Sequence, residues 1–325
     1  MSRSAQEGAL IAVGGDQVRL MTRVARMYHE QGKRQSEISD ELHISQPRVS
    51  RLLKRAVEVG IVRTSVFVPP GIYTELEEAL EERYGLEQAV VVDADGAHED
   101  VTPAIGAALA DYLSATMTGG DSVGISSWAS TLLAGFGALK PFRAPVADHV
   151  VQLVGGIGNP RVQMQASRII GLFQAATGAE PILLPTPAVL GSREAGAALL
   201  GDPAVADAVN AWESLTLALV GIGAIEPSGL ALESGNAFPD ADRQRLEAKG
   251  AVGDICFRFF DAEGSLIDSD FDGRVIGVDP RVLKAVPRRV GAAGGLKKVP
   301  AIRGALLGGW INVLVTDRAV AEALL

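Results

Sequence analysis

Three groups of residues in this sequence are placed to do chemistry. They are hydroxyl and glycine runs where apolar stretches end, single carboxylate and ammonium groups between such stretches, and a cluster of arginines and lysines near the N-terminus. Ser126-Ser127-Trp128-Ala129-Ser130-Thr131 follows the apolar Ser122-Val123-Gly124-Ile125 and opens a helical stretch. Hydroxyls and free N–H groups at a helix start hold a phosphate, or they simply cap the helix. Gly155-Gly156-Ile157-Gly158-Asn159 and Gly221-Ile222-Gly223 let backbone approach a ligand, or merely permit tight turns. Asp254 begins an apolar strand and suits acceptance of sugar hydroxyls, and Lys297 and Lys298, after Gly294-Gly295, suit pairing with a phosphate. The plainer alternative is a turn-capping aspartate and two surface lysines. The glycines do not follow the dinucleotide spacing and no P-loop lysine is present, so no nucleotide cofactor is expected. Cys256 is the single cysteine and His29, His43, His98 and His149 are scattered, which argues against a disulfide framework and a zinc site.

The basic cluster has a second use. The chain carries a formal charge of −9, yet residues 17–64 hold ten Lys or Arg against five acids. Apolar positions Val18, Met21, Val24, Ala25 and Tyr28 recur at helical spacing up to Gly32. A short helix follows at Gln35–Leu42, then a turn at His43-Ile44, then Ser45 as an N-cap with Pro47 just inside a third helix running to about Val59. Two short helices joined by a tight turn are the pattern of a helix-turn-helix, whose second helix enters the DNA major groove. Val49, Leu52, Leu53 and Ala56 face inward, leaving Gln46, Arg48, Ser50, Arg51, Lys54 and Arg55 outward. Gln46 and Arg48, in the first turn, suit bidentate base readout, and Ser50, Arg51, Lys54 and Arg55 suit phosphate contacts. An ordinary three-helix bundle with a solvated basic face is the competing reading. Ile61–Val68 reads as a strand, a candidate wing.

The elements that must position these groups follow from pattern. At 325 residues, 47% apolar and 21% charged, the chain supports two folded units. Residues 1–16 read as a flexible tail, 17–68 as the DNA-binding domain, 69–87 as a linker helix and 88–325 as the effector-binding domain. The last contains short Val/Ile/Leu-rich runs (QAVVVDA, DSVGISS, HVVQLVG, PILLP, LTLALVGIG, DICFRFF, VIGV, RVGAAGG, WINVLVTD) separated by helical stretches. That alternation is the mark of an α/β fold with a mainly parallel sheet covered on both faces. No apolar run is long enough to span a membrane and the N-terminus lacks signal-peptide order, so a cytoplasmic location is expected.

Taken together, QSEISDELHISQPRVSRLLKRAVEVGIV, VGISSWASTL, GGIGN, LLPTPA, LVGIGA, GAVGDICFRFFDAEG and the closing AAGGLKKVPAIRGALLGGWINVLVTDRAVAEALL resemble the SorC family of sugar-responsive regulators, related in layout to the DeoR group. The resemblance covers nearly the whole chain. It implies a Rossmann-like effector domain similar to the ribose-phosphate isomerase and glucosamine-phosphate deaminase fold, control of operator DNA binding by a sugar, polyol or sugar phosphate, and assembly as dimers or tetramers. Carried over residue by residue, it implies effector contacts at Ser130, Thr131, Gly156, Gly158, Asp254 and Lys298, and it selects Lys298 over Lys297. Ala129 stands where many members have glycine, with an additional serine in the turn, so an unphosphorylated polyol is also compatible. The rival is a sugar-phosphate isomerase or deaminase using Asp254 and Lys298 as acid and base, with the N-terminal module as an oligomerisation device. No catalytic residue is expected on the regulator reading.

Overall fold

The computed structural model describes residues 15–64, 69–94, 100–157, 160–226 and 240–325. The chain divides into two compact units, Met1–Phe67 and Val68–Leu325.

The first unit is built from α1 (Gly15–His29), α2 (Gln35–Leu42) and α3 (Gln46–Glu58). Met21, Val24 and Ala25 of α1, Ile38 of α2, and Val49, Leu52, Leu53 and Ala56 of α3 form one buried cluster. Each large member contributes roughly 1.5–3 kcal/mol by leaving water. His43 closes α2 in the left-handed region at φ 52°, a cost that Ser39 offsets by donating to the Ile44 carbonyl at 2.6 Å. Ser45 occupies the N-cap of α3, but its side chain makes no capping bond, and the helix start rests on Pro47 instead. The wing expectation fails over its described part. Residues 61–64 are bend and coil, because Ile61 and Val62 turn back onto the helical cluster. Residues 65–68 lie outside the described residues.

In the second unit α4 (Thr74–Tyr84) precedes a seven-stranded sheet. The strands are β1 (Gln88–Val92), β2 (Asp121–Ile125), β3 (Ala147–Gln152), β4 (Glu180–Ile182), β5 (Leu217–Gly221), β9 (Arg288–Ala292) and β10 (Val313–Asp317). Their order in space is β1-β10-β9-β5-β2-β3-β4, and every pairing is parallel. Parallel neighbours need crossovers, which helices supply. α5 (Thr102–Thr116) leads into β2, α6 (Ser130–Ala138) links β2 to β3, and α7 (Pro160–Thr177) links β3 to β4. α8 (Arg193–Leu200) and α9 (Pro203–Trp212) lead to β5. α11 (Pro280–Ala285) precedes β9, α12 (Val299–Leu307) joins β9 to β10, and α13 (Arg318–Leu324) follows β10. α10 (Asp240–Ala248) lies before the small sheet described below.

Successive residues of the strands enter two different cores. Leu217 and Leu219 pack with Leu109, Leu113, Leu132 and Phe173 on one face, whereas Ala218 and Val220 pack with Trp212, Ile302 and Val320 on the other. Burial on both faces explains why the strands are continuous apolar runs rather than alternating ones. Two expected strands differ. VIGV at 275–278 makes only isolated bridges, to Val154 and Val189. DICFRFF is not one strand but a hairpin of β7 (Gly253–Ile255) and β8 (Arg258–Phe260), which joins β6 (Gly223–Ala224) in a three-stranded antiparallel sheet. Among the described residues no helix is long and apolar enough to cross a membrane.

Packing is close enough to make some glycines obligatory. A Cβ on Gly308 would lie 2.3 Å from the Gly264 carbonyl oxygen and 2.7 Å from the Gly264 Cα. Backbone cannot step aside, so Gly308→Ala should lower unfolding free energy by about 1–3 kcal/mol. Gly171, inside α7 with open space around it, should behave oppositely, Gly171→Ala adding about 0.5–1 kcal/mol. Urea unfolding of both variants checks the pair, and equal shifts would mean that the 264–308 contact is not tight.

Candidate functional site

Strand order reverses between β2 and β5. From β2 the chain runs outward through β3 and β4, and then returns to the other side of β2 to lay down β5 and β9. The turns leaving β2 and β5 therefore part in opposite directions and open a crevice beyond the carboxyl ends of the strands, where ligands bind in open α/β sheets. A cavity of about 130 Å³ lies there. Its wall includes Ser126 and residues 128–131 after β2, residues 221–224 at and beyond the end of β5, Asp254, Cys256 and Phe257 from the small sheet, and Lys298 from the turn after β9.

The turn after β2 is fastened to its neighbours by its own polar groups. Ser126 Oγ accepts from the Gly221 N–H at 3.2 Å, bridging β2 and β5 at the reversal. Ser127 Oγ donates to the Val154 carbonyl at 3.0 Å and Trp128 Nε1 to the Gly155 carbonyl at 3.2 Å. Thr131 Oγ1 is buried and donates to the Ala292 carbonyl at the end of β9 at 2.7 Å. Three hydroxyls and an indole thus hold the rim in place. Ser130 is the exposed hydroxyl of the turn. No side chain caps α6, so its leading N–H groups, which have no intrahelical acceptor, stand at the cavity.

The opposite wall carries the charges. Ile222 leads from β5 into β6, and β6 pairs with β7 so that Gly223 sits opposite Asp254. A Cβ on Gly223 would fall 2.0 Å from Asp254 Oδ1, so only glycine leaves room for that carboxylate. Asp254 Oδ2 accepts from the Phe257 N–H at 2.9 Å. That bond pins the two-residue reversal at Cys256 and Phe257, whose φ values are 54° and 60°. Both residues of such a hairpin turn need positive φ, normally supplied by Asn or Gly. Here a cysteine and a phenylalanine bear it, both buried against the apolar core, and this strain stands at the cavity wall. Lys298 Nζ donates to the Ile222 carbonyl at 2.9 Å. Burial pushes the Asp254 carboxyl up to about 6, opposed by the Phe257 N–H and the Lys298 ammonium. Burial lowers the Lys298 ammonium, opposed by Asp254. Behind this wall the buried Arg258 guanidinium holds Asp272 and the carbonyls of Gly277 and Val278. It thereby anchors the strip that bridges to Val154.

Of the residues singled out in the sequence, Ser130, Thr131, Asp254 and Lys298 line this one cavity. The hydroxyl of Thr131 is already engaged by backbone. Gly156 is outside the lining and faces Gln152, and Gly158 lies outside the described residues. Lys297 does not line this cavity. Trp128, Cys256, Phe257 and Glu226 complete the wall without having been singled out as contacts. Trp128 was visible in the hydroxyl turn, but a left-handed turn made of Cys-Phe carries no sequence signal. On the first unit, Gln46, Arg48, Ser50, Arg51, Lys54 and Arg55 are all exposed on α3. Arg51 donates to the Pro47 carbonyl, and Arg55 pairs with Glu58 at 2.9 Å.

Residues 69–325 match the family described as "Putative sugar-binding domain". Among curated proteins, the chain is 34% identical to the deoxyribonucleoside regulator of Bacillus subtilis (strain 168), over 94% of this chain and 96% of that protein. It is 32% identical to the sorbitol operon regulator of Klebsiella pneumoniae, over 95% and 98%. Among solved structures, the full-length sorbitol operon regulator SorC from Klebsiella pneumoniae superposes with a TM-score of 0.71 at 29% identity, covering 95% of this chain and 99% of that one.

The raised Asp254 carboxyl has a measurable consequence. The folded chain keeps this proton to about pH 6, against an ordinary value of 3.8. Between these values it binds more protons than the unfolded chain, so stability falls as pH rises through that window and the loss persists above it. Asp254→Asn should therefore gain on the parent between pH 4 and pH 7 by on the order of 2 kcal/mol. Denaturation at both pH values checks this, and parallel stability curves would show that the carboxyl is not strained by burial.

Proposed function

Because the chain belongs to the SorC family of sugar-binding transcriptional regulators, we propose that it binds operator DNA through its first unit. The second unit controls that binding by holding a sugar, polyol or sugar phosphate in the crevice at the reversal of strand order. The observation that carries this reading is the convergence of Ser130, Asp254 and Lys298, brought from the start of α6, from β7 and from the turn after β9, on one cavity. Asp254 accepts sugar hydroxyls. Lys298 and the start of α6 receive the anionic end of a phosphorylated ligand. Backbone at Ile222 and Gly223 closes the floor, and Trp128 and Phe257 supply apolar wall for the C–H faces of a sugar.

In the first unit α2 and α3 act as a helix-turn-helix. Gln46 and Arg48, exposed at the start of α3, reach base edges, and Ser50, Arg51, Lys54 and Arg55 set the helix on phosphates. The protein works as a homo-oligomer in the cytoplasm on this reading. A coupling of about 1–3 kcal/mol between the sites changes DNA affinity roughly 5- to 150-fold, sufficient for a switch.

Thermal-shift screening of the full chain against sugars, polyols and their phosphates tests the sensor. A ligand at 100 times its Kd stabilises by about 2.7 kcal/mol, and Lys298→Ala should abolish that shift while leaving DNA binding intact. A full shift in Lys298→Ala would place the ligand elsewhere. For the DNA-binding helix, Arg48→Ala should erase discrimination between operator and random DNA, whereas Lys54→Ala should weaken both alike. Equal behaviour of the two variants in a salt-controlled binding titration would refute that division of roles.

A further inference from the structure

The charged side chains among the described residues of the cavity wall are Glu226, Asp254 and Lys298. Two carboxylates thus face one ammonium, and that ammonium is already bonded to the Ile222 carbonyl and drawn toward Asp254. The groups of the wall that favour an anion are therefore Lys298 and the uncapped start of α6. Glu226 follows the small strand β6, in the segment Ile225-Glu226 beyond Ala224. It is exposed and has neither an ion pair nor a hydrogen bond among the described residues. A carboxylate without a cation to neutralise it projects negative potential into the cavity, and the low-dielectric walls sustain that potential better than open water does.

Resting on the sensor reading above, we propose that the cavity admits a sugar carrying a single anionic group and rejects one carrying two, with Glu226 as the residue that enforces the limit. The first phosphate finds Lys298 and the free N–H groups of α6. A second phosphate on the same sugar finds no second cation among the described wall residues, which instead add the Glu226 carboxylate. Like charges brought together in a partly desolvated site repel by amounts that dominate discrimination between ligands of the same shape. An uncharged hydroxyl at the same place meets no such opposition, because a carboxylate accepts a hydrogen bond from it.

Calorimetric titration of the full-length protein with pentose and hexose monophosphates, the matching bisphosphates and the parent sugars tests the assignment. Glu226→Gln is compared alongside. This variant keeps the size of an exposed side chain, so folding is not at stake. The expected result is binding of at least one monophosphate, with its bisphosphate bound at least about tenfold more weakly. Glu226→Gln should shrink that gap to about threefold or less without changing the monophosphate Kd by more than about twofold. Equal binding of mono- and bisphosphates, or a gap that Glu226→Gln leaves unchanged, would overturn the role of Glu226 and leave the sensor reading standing. Binding of parent sugars alone would overturn it as well, because no anionic group would then be recognised. Failure of every sugar and sugar phosphate to bind would bring down the sensor reading together with the inference.

Discussion

The reversal of strand order between β2 and β5 is the constraint on which the rest depends. Parallel pairing sends all seven strands the same way, so their carboxyl ends share one edge. At most places along that edge successive crossovers close over it. At the β2–β5 junction they diverge, and the edge stays open. The Ser126 hydroxyl spans this gap by accepting from the Gly221 N–H. It thereby ties together the two strands whose departing turns form opposite walls. Without that tie, the hydroxyl turn and the Gly221–Ala224 segment would have no common reference.

A second consequence concerns strain. The small sheet exists because β5 runs on, through Ile222, into β6. Its pairing sets Asp254 over a glycine and turns the chain back through two residues in the left-handed region. A carboxyl with its proton affinity raised by burial, an ammonium with its affinity lowered, and a costly hairpin turn are each unfavourable to folding. Their accumulation on one wall, beside two well-packed cores, is on the proposed reading stability exchanged for a prepared set of ligand contacts.

On the proposed reading the two units solve opposite physical problems. DNA presents a long row of phosphates, and recognising it takes many solvated cations on a convex surface, where each contact is weak and salt-dependent. The exposed Arg48, Arg51, Lys54 and Arg55 along α3 have that form. A small polyhydroxylated ligand gives up much of its surface and calls for few contacts in an enclosed space. Asp254 and Lys298 have that form. The net acidity of the chain lies outside the first unit, so the charge excess of residues 17–64 acts against its surroundings rather than as part of a uniformly basic surface.

The sequence alone determined what local periodicity and capping control. The three N-terminal helices, the inward face of Val49, Leu52, Leu53 and Ala56, and the apolar strands buried on both faces follow from spacing. So does the placing of Ser130 at the start of a helix, Asp254 at the start of a strand and Lys298 between a strand and the next helix. Tertiary structure decided what depends on partners distant in the chain. Ser126, Ser127 and Thr131 are spent on the frame because the carbonyls of Val154 and Ala292 and the N–H of Gly221 happen to end beside them. DICFRFF is a hairpin because the apolar core buries Cys256 and Phe257 in the left-handed region, a turn for which no residue type gave notice. VIGV failed to become a strand because the segment that includes it is held by Arg258 and single bridges instead of a ladder. Spacing reports energies that arise within a turn or two of the chain, whereas hydrogen bonds across 19 to 161 residues exist only once the sheet has brought their ends together.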